Sequence, residues 1–122
     1  MDEVVFESSR TFALWRATVS HSQVLLRSTK TEHDPSRIDV LFKPTEALKL
    51  RTKLDGLRIT LASGAEVERL ADELDADPSD TGCIYIVESG SFTGFVVAGT
   101  CAFIEDDGDY HDPSGLFADT SL

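Results

Sequence analysis

The stretch GCIYIVESGSFTGFVVAGTCAFIE, from Gly82 to Glu105, is the longest apolar passage of the chain, and a glycine-bearing turn interrupts it. We predict that it forms the central β-hairpin of the fold. Side chains alternate between the two faces of a strand, so Ile84 and Ile86 share one face, and the residues between and around them are apolar as well. Because neither face is polar, both faces should be covered.

Both cysteines of the chain lie in this hairpin. If residues 90–93 close the turn symmetrically, the paired residues are Val87 with Val97, Tyr85 with Gly99 and Cys83 with Cys101. That pairing would bring the two sulfurs near each other on one face. Buried cysteine behaves as a small hydrophobe, and the cytosol keeps thiols reduced. We therefore predict two free core thiols rather than a redox pair.

Three further strand regions precede this hairpin. The segment 12–20 is rich in aromatic and β-branched residues, and QVLLRST follows at residues 23–29, which predicts a second hairpin with Trp15 in or near the core. The segment RIDVLFK, residues 37–43, alternates regularly and predicts a half-buried strand. Its apolar face would carry Ile38, Val40 and Phe42, and its solvated face Arg37, Asp39 and Lys43.

Residues 44–54 fit either a helix, with Pro44 in its first turn, or a strand. The Asp55-Gly56 pair favours the strand, because such a pair between alternating runs is a strong signal for a two-residue hairpin. Leu54 would then pair with Leu57. The outer face of this hairpin would carry a basic stripe of four residues: Lys49, Arg51, Lys53 and Arg58.

One helix is predicted near residues 64–75, where Ser63 and Glu66 form a capping box and the apolar residues from Val67 to Leu74 follow a helical stripe. Together these elements predict an α+β fold: a mainly antiparallel sheet of about six or seven strands, sandwich-like or a half-barrel, with one packed helix. We expect a single domain over residues 1–104 and an acidic, flexible tail over residues 105–122.

The charge of the chain is unevenly distributed. The formal net charge is −11, yet residues 1–69 carry all 11 basic residues against 10 acids, whereas Leu70 to Leu122 contains 12 acids and no lysine or arginine. Such a field disfavours nucleic acid and anionic membranes as partners and favours a basic protein. The acidic start of the chain lacks the features of a signal peptide, and we expect a cytoplasmic location.

No motif points to a reaction. The histidines His21, His33 and His111 fall in predicted turns or the tail, and the chain has no CxxC, HExxH, P-loop or GxSxG pattern. We therefore name no catalytic residue, no metal ligand and no cofactor.

The composition favours a non-catalytic interaction module, comparable in character to an immunity protein or antitoxin, that binds a basic protein partner through its acidic half. A small ligand-binding or catalytic domain with a pocket between helix and sheet, near Trp15 and Tyr85, is the alternative. A structural subunit of a homo-oligomer is the third reading. The predicted partner-binding residues are Asp72, Glu73, Asp75, Asp77, Asp80, Glu105, Asp106, Asp107, Asp109 and Asp112.

Overall fold

In the part of the chain that the structure describes, six strands form one antiparallel sheet that closes on itself, and one helix packs against it. The computed structural model describes residues 3–18, 22–74, 83–109, 112, 114 and 116, and the helix side chains as far as Arg69. The elements are β1 (Glu3–Thr18), β2 (Gln23–Ser28), β3 (Arg37–Lys49), β4 (Lys53–Leu61), α1 (Gly64–Leu74), β5 (Cys83–Ser89) and β6 (Phe92–Asp106). Around the barrel the strand order is β1-β2-β3-β6-β5-β4.

The prediction of a mainly antiparallel sheet with one helix is confirmed, but the sheet is a closed barrel rather than a sandwich or half-barrel. Closure depends on β1, which is long enough to pair with two neighbours. Its residues 3–13 pair with β4, and its residues 13–18 pair with β2. Three register shifts interrupt the pairing of β1 with these partners, and such irregularities increase the local twist of a strand.

Apolar side chains fill the barrel interior. They include Phe12, Phe42, Leu54 and Val96, all of them almost completely buried. A second, smaller cluster lies on the other face of β5 and β6, where Val67 of α1 packs against Ile84, Ile86, Phe95 and Val97. Both faces of β5 are therefore covered, as its apolar pattern predicts.

The turn of the central hairpin is shorter than predicted. Ser89 pairs with Phe92, so only Gly90 and Ser91 form the loop. Gly90 has a φ of 58°, the left-handed conformation that two-residue hairpin turns favour. Tyr85 consequently pairs with Val96 and Cys83 with Ala98, and the predicted Val87–Val97, Tyr85–Gly99 and Cys83–Cys101 pairs are wrong.

The hairpin predicted at Asp55-Gly56 is also wrong. Both residues lie inside β4, and β4 pairs with β1 and β5 rather than with β3. Gly56 has a φ of 78° and stands opposite Ser9 and Arg10, the extra residues of a β1 bulge. A glycine in this conformation suits a bulged ladder as well as a hairpin turn, so the Asp55-Gly56 pair alone does not distinguish the two.

Two local predictions are confirmed. Thr18 pairs with Gln23, which makes β1 and β2 the predicted second hairpin; its loop residues 19–21 lie outside the described part of the chain. At the start of α1 the Ser63 N–H donates to Glu66 Oε1 at 3.1 Å, and the Glu66 N–H donates to Ser63 Oγ at 3.4 Å. This reciprocal pair is a capping box.

Candidate partner-binding site

Four exposed carboxylates lie where β6 ends and the chain leaves the barrel. They belong to Glu105, Asp107, Asp109 and Asp112, and we call them the acidic rim. The Asp109 side chain is 84% exposed, and its carboxylate lies 3.5 Å from the Lys30 ammonium. The Glu105 carboxylate accepts a hydrogen bond from the Ser36 hydroxyl. The rim is thus open to solvent, and four of the ten predicted partner-binding acids form it.

Asp106 has a different role from its neighbours. Its two carboxylate oxygens accept hydrogen bonds from Nε and Nη2 of Arg37, both at 3.0 Å, and Oδ1 also accepts the Gly108 N–H at 2.9 Å. The hydrogen bonds from Arg37 are the main cause that holds the pKa of the Asp106 carboxyl below its ordinary value. This carboxylate therefore serves the fold, and its part in a partner surface stays a prediction.

Arg37 also fixes the backbone of the rim. Its Nη1 donates to the carbonyl oxygens of Asp109 at 3.0 Å and Asp112 at 2.8 Å. Gly108 lies directly on the guanidinium, since a Cβ at that position would be 2.4 Å from Cζ of Arg37. The rim backbone is consequently held against the outer face of β3. Of the predicted tail, residues 105 and 106 belong to β6, and residues 107–109 and 112 follow this anchored course.

Arg37 is itself part of a buried charged network. Arg37, Asp39 and Arg27 are only 2%, 1% and 3% exposed. Asp39 accepts hydrogen bonds from Nε and Nη2 of Arg27 at 2.7 and 3.1 Å, and Nε of Arg37 lies 3.9 Å from Asp39 Oδ2. The prediction of a solvated outer face on β3 is therefore wrong. Each charge has an opposite charge beside it, which is what makes its burial tolerable.

An exposed aromatic residue lies close to the rim. Phe103 is 53% exposed, and its ring centroid lies 5.0 Å from that of Phe6. Phe103 and Glu105 share one face of β6, because they are two residues apart on a strand. The end of β6 thus offers an apolar contact next to negative charge.

The other predicted acids are not brought to the rim by any described contact. Asp72 and Glu73 lie in the last turns of α1, but their side chains are outside the described part. Asp75, Asp77 and Asp80 lie entirely outside it. Their part in a partner surface stays a prediction.

The cysteines are free thiols packed against the barrel core. Burial raises the pKa of the Cys101 thiol to about 12. The pKa of the nearby Tyr85 hydroxyl is also raised to about 12, first by burial and then by Cys83 and Cys101. A thiol or phenol that holds its proton so firmly is a poor nucleophile at neutral pH.

The predicted basic stripe does not form one surface. The Arg51 guanidinium lies 5.1 Å from the centroid of the Phe92 ring, whereas Arg58 lies 3.5 Å from Glu7 and 3.4 Å from Glu88. Lys53 borders a separate cleft near Trp15. The stripe depended on the Asp55-Gly56 hairpin, and it is wrong for the same reason.

Three surface clefts of 340, 380 and 350 Å³ lie among the described residues. Trp15 borders the one of 380 Å³, whereas Tyr85 faces the filled barrel interior. Val67 and the side chains of β5 and β6 occupy the contact between helix and sheet. The predicted neighbourhood of Trp15 and Tyr85 is thus divided between an open cleft and a packed core.

Within the ranges that the structure describes, no group of three or more His, Cys, Asp or Glu side chains is arranged to hold a metal ion. The described helix, α1, is not long and apolar enough to span a membrane. The chain has no significant match among protein-family models, curated proteins or solved structures.

Proposed function

We propose that this protein is an interaction module that binds a basic protein partner with the acidic rim, and that it does so in the cytoplasm. The observation that carries the proposal is that one buried arginine holds the backbone of the segment that bears the exposed carboxylates. Arg37 holds the backbone carbonyls of Asp109 and Asp112 and the side chain of Asp106. A surface held in one conformation loses less entropy on binding than a free tail does.

The chemistry of the rim supports a cationic partner. Its members are exposed, and the Lys30 ammonium already lies 3.5 Å from the Asp109 carboxylate. Opposite charges on a partner would speed encounter and align the two surfaces. The exposed Phe103 ring beside Glu105 could be covered in the complex, as aromatic residues at interface centres commonly are.

Charge-neutral variants test this proposal. A rim variant carries Glu105→Gln, Asp107→Asn and Asp109→Asn. A control variant carries Glu46→Gln, Asp55→Asn and Glu68→Gln, which removes the same number of exposed carboxylates from β3, β4 and α1. Both variants keep Arg37 and Asp106, so the buried anchor is unchanged.

Each protein is immobilised and exposed to lysate of its source cell, and the retained proteins are identified at low and at high salt. We expect the wild type and the control variant to retain the same basic protein at low salt and to release it at high salt. The rim variant should retain much less of that protein at low salt. Equal retention by the rim variant, or retention that salt does not change, would contradict the proposal.

A further inference from the structure

The cleft of 380 Å³ lies where β1, β2 and β4 meet, and no residue of the acidic rim lines it. Its volume falls in the range of small-molecule sites, which begins at about 300 Å³. Its walls combine the Trp15 indole, the cations Arg27 and Lys53, and hydroxyl groups that include Ser28 and Thr31. This mixture of a flat ring, positive charge and hydroxyls sets it apart from the cleft of 340 Å³, whose charged lining residue is Glu46.

The sheet register explains the shape of the cleft. Ala13 pairs with Arg27 on one side and with Lys53 on the other, so the three residues form one row across β2, β1 and β4. Side chains in such a row share a face of the sheet, and its outer strands lie about 10 Å apart. The small Ala13 methyl group therefore leaves a gap between two long cationic side chains.

A bulge places Trp15 at this gap. Leu14 pairs with Leu26 and Arg16 with Leu25, which leaves Trp15 as the extra residue of β1. Bulges redirect side chains, and they are frequent beside functional sites. The indole is half-buried, and the guanidinium of Arg27 lies 5.2 Å from its ring centroid.

The two cations of the cleft are not equivalent. Arg27 is buried and forms the paired hydrogen bonds to Asp39. Lys53 is exposed, and no described carboxylate lies at ion-pair distance from its ammonium. The one acid in the lining is Asp34, and its Oδ2 lies 3.7 Å from Nε of Arg10. Lys53 therefore remains available to pair with an anion.

We propose that this cleft binds a small anion that carries a flat ring, with the ring against Trp15 and the anionic group at Lys53 above Ala13. A phosphate on a nucleoside and a carboxylate on an aromatic ring share this chemistry. The proposal is independent of the acidic rim, since no rim residue lines the cleft.

Tryptophan fluorescence provides a direct readout, because Trp15 is the only tryptophan in the chain. The full chain is titrated with a nucleoside monophosphate, an aromatic carboxylate, the uncharged nucleoside and inorganic phosphate, and calorimetry gives each Kd independently. We expect saturable binding of the monophosphate, the carboxylate or both, with the nucleoside and inorganic phosphate at least about tenfold weaker. Whichever ring-bearing anion binds more tightly identifies the source of the anionic group.

Three variants locate the binding. Lys53→Gln should weaken it about tenfold, because it removes a charge-assisted contact. Ala13→Met fills the gap and should weaken it at least as much, whereas Lys43→Gln, on β3 and outside the cleft, should leave Kd unchanged. Circular dichroism confirms that each variant is folded.

Lys53 is exposed, so Lys53→Gln tests the proposal even if Ala13→Met fails to fold. Three results would overturn it: no saturable binding of either ring-bearing anion, equal affinity for the uncharged nucleoside or for inorganic phosphate, or an unchanged Kd in Lys53→Gln.

Discussion

The buried Arg37 guanidinium makes several of the contacts between the acidic rim and the barrel. Arg37 is 2% exposed, and it reaches the Asp106 carboxylate and two backbone carbonyls with separate N–H groups. The planar, multidentate geometry of arginine makes this possible, and a lysine could not reproduce it. The shape of the rim therefore depends on a residue that the solvent barely reaches.

Gly108 must stay small for this contact to exist. Gly108→Ala would place a methyl carbon 2.4 Å from Arg37 Cζ, so the guanidinium or the rim has to move. We expect the free energy of unfolding to fall by about 1–3 kcal/mol, measured by urea denaturation. Gly64→Ala is the matched control, because a Cβ there meets nothing within 4 Å. Equal stability of the two variants would mean that Gly108 does not pack on Arg37 as described.

The buried network on β2 and β3 predicts that removal of a buried acid costs more unfolding free energy than removal of an exposed acid. Asp39→Asn leaves the buried Arg27 and Arg37 without their shared carboxylate, and we expect a loss of about 3 kcal/mol or more in unfolding free energy. Glu7→Gln breaks an exposed contact to Arg58 and should cost less than about 1 kcal/mol. Similar losses from both variants in urea denaturation would contradict the buried network.

The Asp106 carboxylate should make the free energy of unfolding depend on pH in the acidic range. Its pKa is lowered in the fold by the hydrogen bonds from Arg37, so its stabilising effect is present above the ordinary value of 3.8. The effect is lost as the pH falls from that value through the lower folded pKa. We expect the stability difference between the wild type and Asp106→Asn to shrink over this window, in urea denaturation at stepped pH.

Asp107→Asn, next to Asp106 but exposed, is the control for losing one nearby charge. A stability difference between the wild type and Asp106→Asn that stays constant down to strongly acidic pH would show that Asp106 does not interact with Arg37 in this way.

At the scale of elements, α1 stabilises the outer face of β5 and β6. Val67 lies on the apolar cluster of those strands, and the Ser63–Glu66 capping box holds the first turn. The helix thus begins at a defined residue and covers an otherwise apolar surface. Because the capping hydrogen bonds are local, their pattern could be read from the sequence.

Removal of the capping hydroxyl tests how much the capping box stabilises α1. Ser63→Ala deletes the hydroxyl that accepts the Glu66 N–H, and we expect a loss of about 1 kcal/mol in unfolding free energy. Thermal unfolding followed by circular dichroism measures it. Ser63→Asp, another good capping residue, should retain most of the stability; an equal loss in both variants would argue against a capping role.

Elements whose signals are local were predictable, whereas those set by distant partners were not. The β1–β2 hairpin, the apolar faces of β5 and the start of α1 follow from neighbouring residues. Gly56 is different, because its left-handed conformation serves a bulge opposite β1 that no local pattern reveals. The same holds for the turn at Gly90. A change in the length of this turn shifts the register of β5 against β6, and every cross-strand pair of the hairpin then changes.

The candidate site shows the same division. Exposed acids near the end of β6 were predictable from the charge distribution, but the distinction between Asp106 and its neighbours was not. That distinction requires Arg37 to lie beside Asp106, and the two are paired across β3 and β6 by tertiary structure. Arg27 and Asp39 likewise meet only because β2 and β3 are adjacent.

At the scale of the whole molecule, the barrel is closed and buried apolar side chains fill its interior. Binding surfaces are therefore expected on the outside, at the end of β6 and beside Trp15. The two differ in charge: the rim is acidic, whereas the described charges that line the cleft are two cations and one acid. A basic protein and a small anion could then use separate parts of the surface.

The most direct test of the acidic rim is the association rate between this protein and the basic protein that it retains, measured by stopped flow over a series of salt concentrations. We expect the rate constant of the wild type and of the Glu46/Asp55/Glu68 control to fall steeply as salt rises, since salt screens charge attraction. The Glu105/Asp107/Asp109 rim variant should associate more slowly and with a much weaker salt dependence. The same rate and the same salt dependence in the rim variant as in the wild type would contradict the proposed function.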